Sequence, residues 1–349
     1  MASGRAENAL GEGGGGGGGK GATPYMSRVF GELLPEKCKT LIVGDGDFSY
    51  SASLCKLYDF SLMVSTSFDT EVQLKGKYGD EYTVEVVSFL TSNGVQVFHG
   101  VDATDLGTTL PLLQSSTKGD PLSFDVIIFN FPHQGGKSNI KKSRLLLQNF
   151  FSSSDPFLAA GGKVVVTLAK GQGGTAFDIV KREKQNTWKI VEAGAASGFI
   201  LAECFPWIPM EGYKSSGYRS TKRSFITRDG MTHIFVKDNL GYESLDPPTW
   251  RHDLSLWVVD EEKYDENTLL NGVYSIAGEE NILSFELIDS FRITPRDPAV
   301  GDSKKLTHCY KLLYRNKVNR ALPKCGALAL QTKVREGLNE ATAGMVIVR

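Results

Sequence analysis

The chain has 349 residues, 41% of them hydrophobic, enough to bury a sizeable core. Its longest apolar runs, such as Val164-Val165-Val166, fall far short of the ~20 residues that a membrane helix needs, so no membrane partner is expected. The net charge of −1 hides a split: residues 238–291 carry two basic and 13 acidic groups (−11), and residues 292–335 carry 11 basic and two acidic groups (+9).

Residues 1–24 hold ten of the 38 glycines and few groups able to bury apolar surface, so they are expected to be a disordered tail. They lack the apolar stretch of a secretory signal and the arginines of a transit peptide, and the expectation is an intracellular, soluble protein, with nucleolar, nuclear and cytoplasmic sites all open. The five cysteines are scattered with no C-x-x-C pair, which fits reduced thiols better than disulfides or a metal site. From Lys39 onward, short β-branched runs alternate with longer mixed segments. Strands are predicted at 40–43, 62–68, 95–98, 124–130, 163–168, 199–205 and 231–236, and helices at 48–58, 80–90, 144–151 and 188–197. Near-continuous apolar strands alternating with helices imply a mostly parallel, doubly wound α/β sheet.

Asp246-Pro247-Pro248 breaks the chain and marks a linker. Beyond it the pattern predicts a strand at 254–259, a helix at 267–277, strands at 282–291 and 308–315, a helix at 327–338 and a strand at 345–348. This βαββαβ order is the α+β ferredoxin-like arrangement. The expected division is therefore a tail over 1–24, a doubly wound domain over 36–237 and a second domain over 246–349.

The chemistry gathers at the strand ends, where a doubly wound sheet binds its ligand. The first strand runs into Gly44-Asp45-Gly46-Asp47-Phe48-Ser49. Two glycines allow a close backbone approach, but Ser49 stands where a dinucleotide fingerprint has its third glycine. Asp45 and Asp47 suit a cationic ligand without phosphates, such as S-adenosylmethionine, better than a pyrophosphate, which weakens a nicotinamide-cofactor reading. Asp69 follows the second strand, where a carboxylate accepts from ribose hydroxyls, and Asp102 follows the third, where one can accept from an adenine amino group. Singly, each is as well read as a turn or cap; together they point to an adenosyl ligand.

Strand four ends in Asn130-Phe131-Pro132-His133, similar to the turns of methyltransferases acting on planar nitrogens, in which Asn holds an N–H and an aromatic ring stacks on the base. His133 is either a proton acceptor or a solvated loop residue. Two basic stretches follow: Lys137, Lys141, Lys142 and Arg144 in the first, and Arg219 and Arg223 in a second that runs from Lys214 to Arg228 with aromatics interleaved. Basic groups neutralise phosphates and aromatics stack on unpaired bases, so both are candidate RNA contacts, as are Arg315 and Arg320 in the basic C-terminal half. Solvated loops would look the same.

With the G-D-G-D-F-S loop, Asp69 and the N-F-P-H turn in one chain, residues 36–237 resemble the 25S rRNA (uridine-N3) methyltransferase-like family. The resemblance implies a Rossmann-like class I methyltransferase fold, S-adenosylmethionine as donor held by Gly44, Asp45, Gly46, Asp47, Phe48, Asp69 and Asp102, and uridine N3 as acceptor at Asn130, Phe131, Pro132 and His133. Residues 246–349, entered through Trp250-Arg251-His252-Asp253-Leu254, resemble the ferredoxin-fold anticodon-binding domain of phenylalanyl-tRNA synthetases. The first resemblance implies rRNA as partner and the second tRNA.

Overall fold

A computed structural model describes residues 28–30, 38–57, 62–111, 122–135, 139–215, 225–294, 304–318 and 320–349. The glycine-rich tail and the candidate RNA contacts Lys137, Arg219 and Arg223 lie outside these residues.

Between residues 40 and 237 the chain builds one mixed sheet of seven strands. In chain order they are β1 (Thr40–Val43), β2 (Met63–Ser67), β3 (Gln96–His99), β4 (Phe124–Asn130), β5 (Leu158–Leu168), β6 (Phe199–Pro206) and β7 (Met231–Lys237). Their order across the sheet is β3-β2-β1-β4-β5-β7-β6. The first five pair in parallel, and β7 runs antiparallel to both β5 and β6. Among the described residues, six α-helices lie between the strands: α1 (Ser49–Leu57), α2 (Glu71–Tyr78), α3 (Asp80–Ser92), α4 (Leu106–Thr109), α5 (Ile140–Ser154) and α6 (Ile190–Ala195).

The strands are apolar throughout because both faces are covered. Leu41, Val43, Ile127, Phe129, Val164 and Val166 point to the face packed by Leu147, Phe150 and Phe151 of α5. Their neighbours Ile42, Ile128 and Val165 point to the opposite face, against Leu54 of α1 and Val86 and Leu90 of α3. This period-two division is what a strand's geometry dictates. Chain order changes direction between β1 and β4, so the strand ends diverge there and leave a crevice at their carboxyl edge.

The C-terminal part forms a separate antiparallel sheet. Its strands are β8 (Trp250–Val258), β9 (Ile282–Ile293), β10 (Lys305–Tyr314) and β11 (Val346–Val348), in the order β11-β8-β10-β9. Helices α7 (Glu266–Ala277) and α8 (Lys324–Ala341) cover one face, burying Leu269, Val273, Val334 and Leu338 against Leu254, Leu256, Tyr310 and Leu312. The βαββαβ order expected from the sequence is the one observed. Among the described residues, no helix is long and apolar enough to cross a membrane.

Several elements differ from expectation. The short helix α4 was not anticipated, and β8 begins at Trp250 rather than Leu254. Helix α2 was not anticipated; it buries only Leu74, so it carries almost no apolar periodicity, and it starts at a Thr70–Gln73 capping box. Strand β5 begins at Leu158 rather than Lys163, its first part running through Gly161 and Gly162, residues of low strand preference. Helix α5 extends to Ile140 because Asn139 caps it, accepting from the Lys142 N–H at 3.1 Å.

Candidate active site

A cavity of about 920 Å3 opens at the carboxyl edge of β1, β2 and β4. It gathers side chains far apart in sequence: Gly44 to Asp47, Asp69, Asp102, and Asn130 to His133. It also takes in Trp188 and the interleaved aromatics Tyr213 and Phe225 of the second basic stretch, and four residues that sequence reading missed: Phe68, Lys77, Tyr78 and Gln172. These lie on loops and helix ends, where no local motif marks them.

The first loop is fixed by its backbone. Gly44 sits at φ +65°, and a Cβ there would fall 2.8 Å from Phe129 Cε2. Glycine is therefore required twice over, by the left-handed conformation and by the packing. Gly44→Ala is expected to cost about 2–4 kcal/mol of unfolding free energy, as measured by urea denaturation, from backbone strain and overpacking together.

Asp45 and Asp47 are both buried. The Ser51 N–H and hydroxyl donate to Asp45 Oδ2 at 2.8 and 2.6 Å, and the Ser49 N–H donates to Asp47 Oδ1 at 3.0 Å. Both carboxylates thus face the N-terminus of α1, where the helix dipole favours negative charge. Burial, and then the charge of Asp47, push the Asp45 carboxyl up to about 7. Phe48 departs from its expected cofactor role. At φ +59° its ring turns inward, is fully buried, and meets the His99 ring edge-on at 5.4 Å, so it is a core residue and does not line the cavity.

Ser49, where a third glycine would stand in a dinucleotide fingerprint, ties two walls together. Its hydroxyl accepts from the Lys214 N–H at 3.0 Å and donates to the Lys214 carbonyl at 3.1 Å. Tyr213, Lys214 and Ser215 form the far rim of the cavity. Ser49→Ala is expected to speed hydrogen exchange at the Lys214 amide about tenfold, the value of one lost hydrogen bond.

Asp69 lies on the cavity wall with Lys77 Nζ at 2.6 and 2.7 Å from its two oxygens. Asp102 folds into a local turn, Oδ1 accepting from the Thr104 N–H at 2.8 Å and the Thr104 hydroxyl at 2.7 Å.

At the end of β4 the amide of Asn130 is buried in the cavity wall, and neither Oδ1 nor Nδ2 has a hydrogen-bond partner. Such a group costs free energy unless something completes it. Phe131 adopts φ +48°, its N–H donating to the Thr167 carbonyl at 2.8 Å. Its ring packs among Trp207, Tyr213 and Phe225, with centroids 5.3 to 6.5 Å away. It builds the wall rather than standing open for a stacked base. Trp188 and Phe225 are further aromatic surfaces on the cavity.

His133 Nδ1 accepts from the Gly135 N–H at 2.8 Å. The neutral ring therefore carries its proton on Nε2 and is a hydrogen-bond donor there, and burial lowers its pKa and favours that neutral form.

Arg144 also departs from expectation. Its guanidinium donates to the carbonyls of Thr187 (2.8 Å) and Gln185 (2.7 Å), bracing the turn before Trp188, so it is not a surface phosphate contact. Arg315 donates to the Thr249 hydroxyl at 2.8 Å, and Arg320 lies 3.7 Å from Asp238, so both face the linker. Lys141 and Lys142, at the start of α5, are exposed beside the cavity residues Asn139 and Ser143.

A Rossmann-like sheet with a glycine-and-acid cleft at its carboxyl edge defines the class I methyltransferase fold. A family model described as rRNA (uridine-N3-)-methyltransferase BTM5-like matches residues 41–222, and the chain belongs to that family. It is 41% identical over 222 residues to the ferredoxin-fold anticodon-binding domain-containing protein 1 homolog of Mus musculus, covering 63% of this chain and 34% of that protein. The Homo sapiens protein of the same name is 36% identical over 216 residues, covering 61% of this chain and 33% of that one. The chain thus spans about a third of the length of these curated relatives. Among solved structures, TrmN from Thermus thermophilus is similar at 14% identity and a TM-score of 0.36, over 60% of this chain and 46% of that one.

S-adenosylmethionine is the cofactor of the family. The cleft fits it. Gly44 and Gly46 bare the backbone, Asp45, Asp47, Asp69 and Asp102 outnumber the cations Lys77 and Lys214 around the cavity, and its volume accommodates a nucleoside with room for a second ring.

Proposed function

We propose that residues 36–237 form an S-adenosylmethionine-dependent RNA methyltransferase acting on N3 of an unpaired uridine in rRNA. Residues 246–349 would then be an appended RNA-binding domain of the anticodon-binding type. The observation that carries this reading is the unpartnered amide of Asn130 in the same cavity as the acid-lined loops. A uracil edge offers what it lacks, because each carbonyl oxygen accepts and N3–H donates.

Gly44 and Gly46 would admit the donor, Asp69 would hold its ribose and Asp102 its adenine. The donor supplies an electrophilic methyl group on a sulfonium. The rest is done by the chain. N3 lies on the pairing edge, so the uridine must be single-stranded or flipped out to enter. Loss of the N3 proton to solvent water places negative charge on the uracil oxygens. Asn130 Nδ2 donates to one of these oxygens and His133 Nε2–H faces the developing charge, an electrostatic assistance that needs no side-chain base. Alignment of the acceptor nitrogen with the methyl group supplies the remainder. Lys141 and Lys142 would meet phosphates next to the target nucleotide.

The test is to incubate the protein with methyl-labelled donor and rRNA, digest the RNA to nucleosides and separate them. Label in 3-methyluridine supports the reading. Label in another nucleoside overturns the position, and unlabelled RNA overturns the activity.

A further inference from the structure

We propose that Lys77 is a donor-binding residue, and that the Asp69–Lys77 pair together, rather than Asp69 alone, recognises the ribose diol of the methyl donor. This rests on the reading of the cleft as a donor site. The pair is built by the fold. Asp69 is held by its backbone, its N–H donating to Ser67 Oγ at 3.2 Å and its carbonyl accepting from the Gly100 N–H at 3.1 Å. Helix α2 starts one residue later, at the Thr70 cap, and two turns on returns Lys77 to the carboxylate.

The ammonium then stands 2.6 and 2.7 Å from the two oxygens, and both residues line the cavity. An ammonium has three N–H donors, and two are spent here. A carboxylate has about four lone-pair positions, and two are spent here. The pair therefore still presents one donor and two acceptors. A vicinal diol, in which each hydroxyl both donates and accepts, is the complement of that set. Stability does not account for the arrangement, since a part-exposed ion pair of this kind is worth about 0–1 kcal/mol. The pairing also neutralises Asp69, leaving Asp45 and Asp47 of the first loop as the carboxylates for the cationic end of the ligand.

Lys77→Met and Lys77→Arg are compared with the parent by calorimetric titration of S-adenosylhomocysteine and of its 2′,3′-dideoxy analogue, with melting temperatures to confirm folding. The expected result is an affinity for S-adenosylhomocysteine about tenfold to a hundredfold weaker in Lys77→Met, the range of one charge-assisted hydrogen bond. The loss should be mostly absent for the dideoxy analogue and partly restored in Lys77→Arg. Unchanged affinity in Lys77→Met would overturn the proposal. So would tighter binding, which would mean that Lys77 competes with the ribose for Asp69. A parent protein that binds neither compound would overturn the donor-site reading itself, a different outcome from a parent that binds while Lys77→Met makes no difference.

Discussion

Asn130→Ala is expected to lower methyl transfer by about 100-fold, the cost of losing the group that aligns a reacting ring. Donor affinity should stay within about threefold of the parent, because the amide acts on the acceptor. The backbone of Asn130 remains paired with Thr167 of β5, so the sheet has no reason to open. The substitution also removes a buried amide without a partner, and the melting temperature should hold or rise. Single-turnover rates measured beside a donor titration check both parts. A loss of less than about threefold in rate would remove Asn130 from the acceptor site.

The second large effect lies beneath the cavity. His233, on β7 between β5 and β6, is fully buried, and its Nδ1 is 3.2 Å from the Val166 carbonyl. Nε2 is 3.9 Å from Asp178 Oδ1, an ion pair without a hydrogen bond. Asp178 is held in turn by the Gly174 N–H at 3.0 Å and the Thr175 hydroxyl at 2.7 Å. The two groups come together only because Gly173 has no side chain, since a Cβ there would lie 2.8 Å from both. Burial alone would lower the His233 pKa, but the Asp178 carboxylate and Cys204 outweigh it and raise the ring to about 9. Burial likewise works against the Asp178 carboxylate, and His233, Thr175 and Gly174 overcome it, leaving its pKa below the ordinary value.

Asp178→Ala strands a buried imidazolium and is expected to cost about 3–5 kcal/mol in urea denaturation. The pH dependence has a definite sign. The contribution of His233 is complete below its unfolded pKa of about 6.5 and is lost as pH rises through about 9. That of Asp178 is present above its unfolded value and is lost as pH falls through its lower folded one. Stability should therefore fall between pH 7 and pH 10 in the parent and be flatter over that range in His233→Gln. Equal slopes would show that the ring is neutral in the folded protein. Gln172, next in sequence to Gly173 of this network, lines the cavity.

Sequence reading succeeded where the signal is local. Phe124–Asn130 was expected residue for residue, because a strand covered on both faces is apolar throughout and ends where its asparagine meets a proline turn. The strand-end aspartates and the two cavity glycines were legible for the same reason, being fixed by position along one strand and its loop. Reading failed where a side chain's partner is remote. Arg144 looked like one member of a basic run, yet its partners are carbonyls about 40 residues away. Lys77 carried no signal, since α2 itself was hidden by its weak amphipathicity. Phe48 stands where the glycine loop meets the expected helix, and its left-handed backbone and buried ring are not visible in the sequence. The C-terminal charge split was visible, but not that Arg315 hydrogen-bonds Thr249 and Arg320 lies beside Asp238, both at the linker.

The central claim is that the carboxyl edge of β1, β2 and β4 is a binding site for the methyl donor. Calorimetric titration of S-adenosylmethionine into the parent and into Asp69→Ala tests it most directly. The account predicts saturable binding at one molecule per chain, weakened about tenfold or more in Asp69→Ala by the loss of a charge-assisted contact. No binding to the parent, or equal binding to both proteins, would contradict it.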